Sequence, residues 1–139
     1  QHRVEGSGEK LLHAMFDEDS NLKEEAFLEE KIDQELAKDA KGQAFIKSYE
    51  PNEIIMEASS SGRVMLVLTD PFYPGWKAFV DGSETKIYRA NYAFRGVVIP
   101  QGVHHVRFTY DPDGFKIGLA LGLVGLLGTG GLSIYLRKK

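Results

Sequence analysis

Apolar and polar residues alternate with a period of two through most of the chain between residues 43 and 110, a pattern that is typical of β-strands. Turn residues such as proline, glycine, asparagine and serine interrupt the pattern at short intervals. It predicts strands over residues 44–49, 53–58, 63–69, 76–80, 84–89, 92–99 and 103–110. Short strands at this spacing predict a mainly β fold, an antiparallel β-sandwich of the jelly-roll or Ig-like kind.

Three features within these segments carry specific expectations. The apolar run Val64-Met65-Leu66-Val67-Leu68 predicts a strand buried on both faces, at the centre of the core. Asp81-Gly82 predicts a two-residue hairpin between residues 76–80 and 84–89, because both turn positions favour positive φ. In the last segment, alternation places Phe108 on the dry face, so that Leu66 and Phe108 are expected to lie buried between the sheets.

The first 43 residues mix helical and strand patterns and predict a small α+β segment. Ser7 is a candidate N-cap for a helix over residues 9–16, in which apolar residues recur at helical spacing. Residues 24–41 are ambiguous, since residues 26–28 suit a short strand whereas apolar residues every fourth position suit a helix; these residues are Leu28, Ile32 and Leu36. We favour a brief strand followed by a helix.

The last part of the chain predicts a membrane helix. Residues 117–136 contain no charged residue, and twenty helical residues span about 30 Å, the thickness of a bilayer hydrocarbon core. Three basic residues follow the span, against Lys116 alone before it, so the positive-inside rule predicts a cytoplasmic C-terminus and an extracytoplasmic β-domain. Small residues share one face of this helix and favour packing against other helices; they are Gly114, Gly118, Gly122 and Gly125.

Composition divides the chain and limits its partners. We expect an N-terminal segment over residues 1–43, a sandwich over 44–114 and a membrane helix with a basic tail over 115–139. The net charge is −3, and residues 17–60 hold thirteen acidic and five basic side chains, which argues against a nucleic-acid partner. The absence of cysteine removes disulfides and thiolate metal sites.

Candidate chemistry is confined to one set of polar and aromatic residues. Aromatic rings stack on sugars, and arginine, asparagine and aspartate bind hydroxyls or phosphate. The candidate ligand-binding residues are Asp70, Tyr73, Trp76, Arg89, Asn91, Tyr92 and Arg95. A structural role is the alternative, in which the tryptophan packs in the core and the arginines pair with aspartates. Neighbouring His104 and His105 point to opposite faces, the wrong arrangement for joint chelation, so we expect no metal site. No nucleophile–base pair and no phosphate-binding loop stands out in the sequence, so we also expect no cofactor and no catalytic residue.

A series of short motifs in fixed order carries a resemblance to a known family. They are YPGW at 73–76, VDG at 80–82, RANY at 89–92, FR at 94–95 and PQGVH at 100–104. From about residue 45 onward the chain resembles the C-terminal part of the YfhO family, large multi-pass bacterial membrane proteins related to GT-C glycosyltransferases.

The resemblance implies an extracytoplasmic accessory domain and last transmembrane helix of a polytopic glycosyltransferase-like protein in the bacterial cell membrane. Such a protein would use lipid-linked sugars to modify cell-envelope glycans. The implied partners are the membrane, other transmembrane helices of the same protein, and a glycan or polyprenyl-phosphate sugar. In GT-C enzymes the catalytic carboxylate lies in an early loop of the membrane portion, so this chain is expected to be non-catalytic. The alternative is a non-enzymatic envelope interaction module on a single membrane anchor.

Overall fold

The computed structural model describes residues 2–4, 15–16 and 26–137. The predicted helix over residues 9–16 lies outside the described residues, apart from Met15 and Phe16. In chain order the elements are β1 (His2–Val4), β2 (Ala26–Leu28), β3 (Gly42–Glu50), β4 (Glu53–Ser60), β5 (Val64–Pro71), β6 (Trp76–Val80), β7 (Ser83–Thr85), β8 (Tyr88–Ala90), β9 (Phe94–Ile99), β10 (Gly102–Tyr110) and α1 (Asp113–Arg137).

The strands form two sheets, which confirms the predicted mainly antiparallel sandwich. Within the described residues, sheet A has the order β1-β2-β8-β9-β5 and sheet B the order β3-β4-β10-β6-β7. All pairs are antiparallel except β1 and β2. The alternation that predicts β10 is also confirmed, since Val106 and Phe108 are fully buried whereas His105 and Arg107 are exposed.

The main core lies between the sheets and uses alternate residues of both. Sheet B contributes Ile54, Met56, Ala58, Ala78, Val106 and Phe108, and sheet A contributes Leu68, Val97 and Ile99. All of these side chains are at most 6% exposed, so their burial is the principal source of the sandwich's stability.

The outer face of sheet A has a smaller apolar layer, and here the predicted helix is wrong. Residues 29–41 are irregular, yet Ile32 and Leu36 still pack against Leu28, Tyr88 and neighbouring residues of the sheet. The backbone of this segment bonds to other parts of the chain, from Ala37 N to Arg63 O at 2.8 Å, rather than along a helix. Apolar residues four positions apart therefore cover the outer face of sheet A without forming a helix.

β5 lies at an edge of sheet A, so its predicted place at the centre of the core is wrong. It pairs only with β9 among the described strands. Val64 and Leu66 are partly buried against the main core, and Met65 and Val67 contact the outer apolar layer. Leu66 is therefore half-buried rather than fully enclosed between the sheets.

Residues 84–89 do not form one strand as predicted. The chain leaves sheet B after Thr85 and joins sheet A at Tyr88, with Ile87 packed against the core between them. The predicted strand over 92–99 begins only at Phe94, since Asn91 and Tyr92 have positive φ values of 48° and 68°. Dividing residues 84–89 adds one strand, and β1 and β2 add two more, so ten strands are described against about seven expected.

The Asp81-Gly82 hairpin is confirmed, with φ values of 50° and 81°. Asp81 also ties this hairpin to β10. Its carboxylate contacts His104 Nδ1 at 2.6 Å and accepts a hydrogen bond from the backbone N–H of His105 at 2.8 Å. Hydrogen bonding to Asp81 raises the pKa of His104 above its ordinary value, and the same contact lowers the pKa of Asp81.

This contact predicts a pH-dependent stability. A histidine whose pKa is raised on folding contributes stability that is fully present below its unfolded pKa, about 6.5, and is lost as pH rises through the folded value. We expect the melting temperature of the full chain to fall across that interval, and Asp81→Asn to remove the step while retaining an acceptor for His105 N–H. Identical pH profiles for the two proteins would contradict the assignment.

Two residues separate β10 from helix α1, which is apolar over most of its 25 residues. Large apolar side chains of the helix that the structure describes are exposed, including Leu121, Val124 and Leu127. Among the described residues it is the one helix, Gly114–Arg137, whose length and composition suit a membrane span. The predicted C-terminal span is confirmed at that level.

Candidate functional site at the helix-proximal end of the sandwich

Arg95 is the largest fully buried side chain of the described chain, with 2% of its surface exposed. It is the second residue of β9 and points between the sheets, as Val97 and Ile99 do at alternate positions. Its Nη2 donates a hydrogen bond to Asp70 Oδ2 at 2.8 Å. The β5–β9 register is irregular between Leu68 and Pro71, and Asp70 lies within this irregular part of β5.

The guanidinium of Arg95 is enclosed by aromatic rings. Its Cζ lies 3.9 Å from the ring centroid of Trp76 and 5.5 Å from that of Phe108. Burial lowers the pKa of Arg95, and the charge of Asp70 opposes this effect. Because an arginine pKa normally exceeds 12, the side chain remains charged. Cation–π contact and one ion pair thus stabilise a buried positive charge.

Arg95 is not fully satisfied by these contacts. Within the described chain, its buried Nε and Nη1 have no hydrogen-bond partner. A buried donor without a partner costs about 1–3 kcal/mol. Arrangements that lower stability in this way are found most often where a protein binds something.

Three tyrosines extend the site toward the surface. Tyr49 of β3 donates its hydroxyl to Asp70 Oδ2 at 2.8 Å, which raises the pKa of the phenol. The ring of Tyr110 lies 5.4 Å from Trp76 and 6.4 Å from Tyr73. Tyr49 and Tyr73 are more than half exposed. We call the following residues the Arg95 cluster: Tyr49, Asp70, Tyr73, Trp76, Arg95 and Tyr110.

The Arg95 cluster lies directly beside the start of α1. Asp111 N donates to Gly75 O at 2.8 Å, and a Cβ on Gly75 would lie only 3.0 Å from the Tyr110 ring and 3.1 Å from Pro112 Cβ. Gly75 also has a φ of +101°, so the position demands glycine on both counts. The turn that carries Tyr73 is therefore packed against the residues that lead into the helix.

The remaining predicted site residues make contacts outside the Arg95 cluster. Arg89 Nη1 pairs with Glu29 Oε1 at 3.3 Å, and its guanidinium lies 5.7 Å from the ring of Tyr92. Arg89 is the register partner of Arg95, so the two side chains share a face of sheet A. Asn91 Oδ1 accepts the N–H of Phe27 at 2.8 Å, and this bond has a structural role in joining β2 to the turn.

The structure thus brings together four of the predicted residues, namely Asp70, Tyr73, Trp76 and Arg95. Sequence reasoning missed Tyr49 and Tyr110 as neighbours of this set. Tyr110 shares the inward face of β10 with Phe108, and this alternation could have placed Tyr110 near Trp76. Nothing local connects Tyr49 with Asp70, because their contact joins the edges of opposite sheets.

The fold and the apolar helix define a class, a β-sandwich domain attached to a candidate membrane span. The family described as "Bacterial membrane protein YfhO" matches residues 21–122. The chain therefore belongs to the YfhO family of bacterial membrane proteins.

A curated relative and the solved structures complete the comparison. The chain is similar to the "Uncharacterized protein YfhO" of Bacillus subtilis (strain 168), with 37% identity over 75 residues. That match covers 53% of this chain but only 8% of the relative's length. No solved structure matches the chain.

Proposed function

We propose that the chain is the extracytoplasmic accessory domain and last membrane helix of a longer, multi-pass glycosyltransferase-like protein. That protein would use lipid-linked sugars to modify glycans of the cell envelope, and this chain would bind rather than catalyse. Membership of a bacterial membrane protein family supports the proposal, as does the small fraction of the relative's length that the chain matches.

The single observation that carries the proposal is the Arg95 cluster. It combines a buried guanidinium with two N–H groups that lack a partner in the described chain and a half-buried indole. Tyr49 and Tyr73 add exposed rings and hydroxyls beside them. Such a set suits a sugar ring next to a phosphate, since aromatic faces stack on sugars and arginine binds phosphate oxygens. The site adjoins the membrane helix, where the head of a lipid-linked sugar would be found.

The orientation of the domain is part of the proposal. Arg137 lies in the last turn of α1, and Lys138 and Lys139 follow it in the sequence. By the positive-inside rule this end is cytoplasmic and the sandwich is outside. We expect a Ser83→Cys variant of the full chain to react with a membrane-impermeant thiol reagent in intact cells, since Ser83 is exposed and the sequence has no other cysteine. Labelling only after lysis would contradict the proposed orientation.

Ligand binding can be followed without an added label. Trp76 is the only tryptophan of the sequence and belongs to the Arg95 cluster. The full chain in detergent should show a saturable change of tryptophan fluorescence with a polyprenyl-phosphate-linked hexose. Polyprenyl phosphate and the free hexose, titrated separately, show which half of the ligand is recognised. An unchanged spectrum with all three would contradict the proposal.

The exposed strand β3 favours a second candidate, an envelope interaction module on one anchor. Phe45, Ile46 and Tyr49 are all more than half exposed on this edge strand, and exposed edges are common sites of pairing. Many hydrophobic spans in the coding sequence upstream of Gln1 would favour the glycosyltransferase-like protein. A signal peptide alone would favour the module.

A further inference from the structure

The sandwich joins its membrane helix almost without a linker. Only Asp111 and Pro112 separate the end of β10 from the start of α1, and two residues span at most about 7 Å. Asp111 also anchors this junction, because its carboxylate accepts from Lys116 at 2.7 Å and from Lys77 at 3.5 Å. Both contacts are consistent with the lowered pKa of Asp111. The end of sheet B is thereby held close to the first turn of the helix.

The length of α1 places this junction at the bilayer surface. Its 25 residues extend about 37 Å, which exceeds a hydrocarbon core of about 30 Å. The first turn of the helix therefore reaches the headgroup layer. The turn at residues 72–75 contacts Pro112 and Tyr110, so it lies at nearly the same level.

The exposed side chains at this level are of types that are enriched at membrane surfaces. Tyr73 is 62% exposed and Phe115 is 71% exposed. The ammonium groups of Lys77 and Lys116 lie around Asp111, at the same junction. Tyrosine and other aromatic residues are enriched where lipid meets water, and lysine attracts lipid phosphates.

We propose that this end of the sandwich, comprising residues 72–77 and 110–116, docks on phospholipid headgroups. Tyr73 inserts among the headgroups and the two lysines approach their phosphates. The partner is the lipid surface itself, because the chain that enters the bilayer is continuous with the docking residues. This contact holds the sandwich in one orientation above the bilayer. The inference does not depend on which ligand that cluster binds.

The test uses single nitroxide labels, which the absence of cysteine makes simple. Tyr73→Cys carries the label at the proposed contact. Val103→Cys is the matched control, since Val103 is 67% exposed and lies seven residues away along β10 from Tyr110, about 23 Å. Each full-length variant is placed in nanodiscs of phosphatidylcholine with phosphatidylglycerol, at one chain per disc, so that a second copy cannot cover the label.

We expect the label at position 73 to show less collision with an aqueous nickel reagent and more with oxygen than the label at position 103. Pro74→Cys, on the same exposed turn, gives a second position should Tyr73→Cys fold poorly. Equal, fully aqueous accessibility at positions 73, 74 and 103 would overturn the proposal. A result in which only detergent-solubilised protein lacks the contrast supports it, because detergent replaces the phospholipid headgroups that the proposal requires.

Discussion

Replacing Phe108 by alanine is expected to lower the free energy of unfolding by about 3–5 kcal/mol, the range for a large aromatic residue lost from a core. Phe108 is fully buried in the centre of β10, opposite Ile54 of β4 and Ala78 of β6. It also forms one wall around the guanidinium of Arg95. The loss is a large part of the roughly 5–15 kcal/mol that stabilises a typical domain. Denaturant unfolding of the full chain in detergent, followed by Trp76 fluorescence, measures it.

Leu66→Ala is the control for this prediction. Because Leu66 lies on the edge strand β5 and is only half-buried, its loss should fall below the 2–5 kcal/mol that a buried leucine costs. Equal effects of the two substitutions would contradict the edge position of β5.

The second large effect is expected at Asp70. Asp70→Ala removes the counter-ion of a buried arginine, and breaking one side of such a pair typically costs 3–5 kcal/mol. The substitution also removes the acceptor for the hydroxyl of Tyr49. Thermal melting of the full chain should therefore shift strongly downward.

Tyr49→Phe separates the two contributions. It removes one exposed hydroxyl and leaves the ion pair in place, so we expect only a small downward shift of the melting temperature. If Asp70→Ala is no worse than Tyr49→Phe, then Arg95 does not depend on Asp70 for its burial, and the described geometry is not the one that stabilises the protein.

The strands of sheet B were predictable because their physics is local. Apolar and polar residues alternate clearly along β10. Its neighbour β6 ends at an Asp-Gly pair, which strongly favours a two-residue hairpin turn. The apolar run in β5 has two explanations that sequence cannot separate. A central strand and an edge strand covered on both faces have the same composition, and only the arrangement of the sheets distinguishes them.

The irregular segment over residues 29–41 shows a similar limit. Ile32 and Leu36 are spaced as in a helix, but their burial against sheet A requires only that the chain cross its outer face. The division of residues 83–90 between two sheets was equally hidden, because no proline or glycine marks the crossing at Ile87. Long-range packing decided both cases.

The candidate site was partly predictable. Asp70, Trp76 and Arg95 were recognisable by their chemistry, and the pairing of β5 with β9 brings the ionic pair together. Asn91 was predicted with this set, and its side-chain oxygen accepts a hydrogen bond from the backbone N–H of Phe27. The contact of Tyr49 with Asp70 could not be predicted without knowing that β3 and β5 meet at the same side of the sandwich.

We propose that the ion pair between Asp70 and Arg95 is retained for binding rather than for stability. A double variant, Asp70→Asn with Arg95→Met, removes both charges together while keeping an acceptor for Tyr49 and similar volume at position 95. Replacing a whole buried ion pair in this way is often neutral or stabilising, whereas removing one partner is not. The decisive measurement is the fluorescence titration of this variant with the polyprenyl-phosphate-linked hexose, beside its thermal melt. We predict a melting temperature at or above that of the unmodified chain and no saturable binding; binding equal to that of the unmodified chain would contradict the claim.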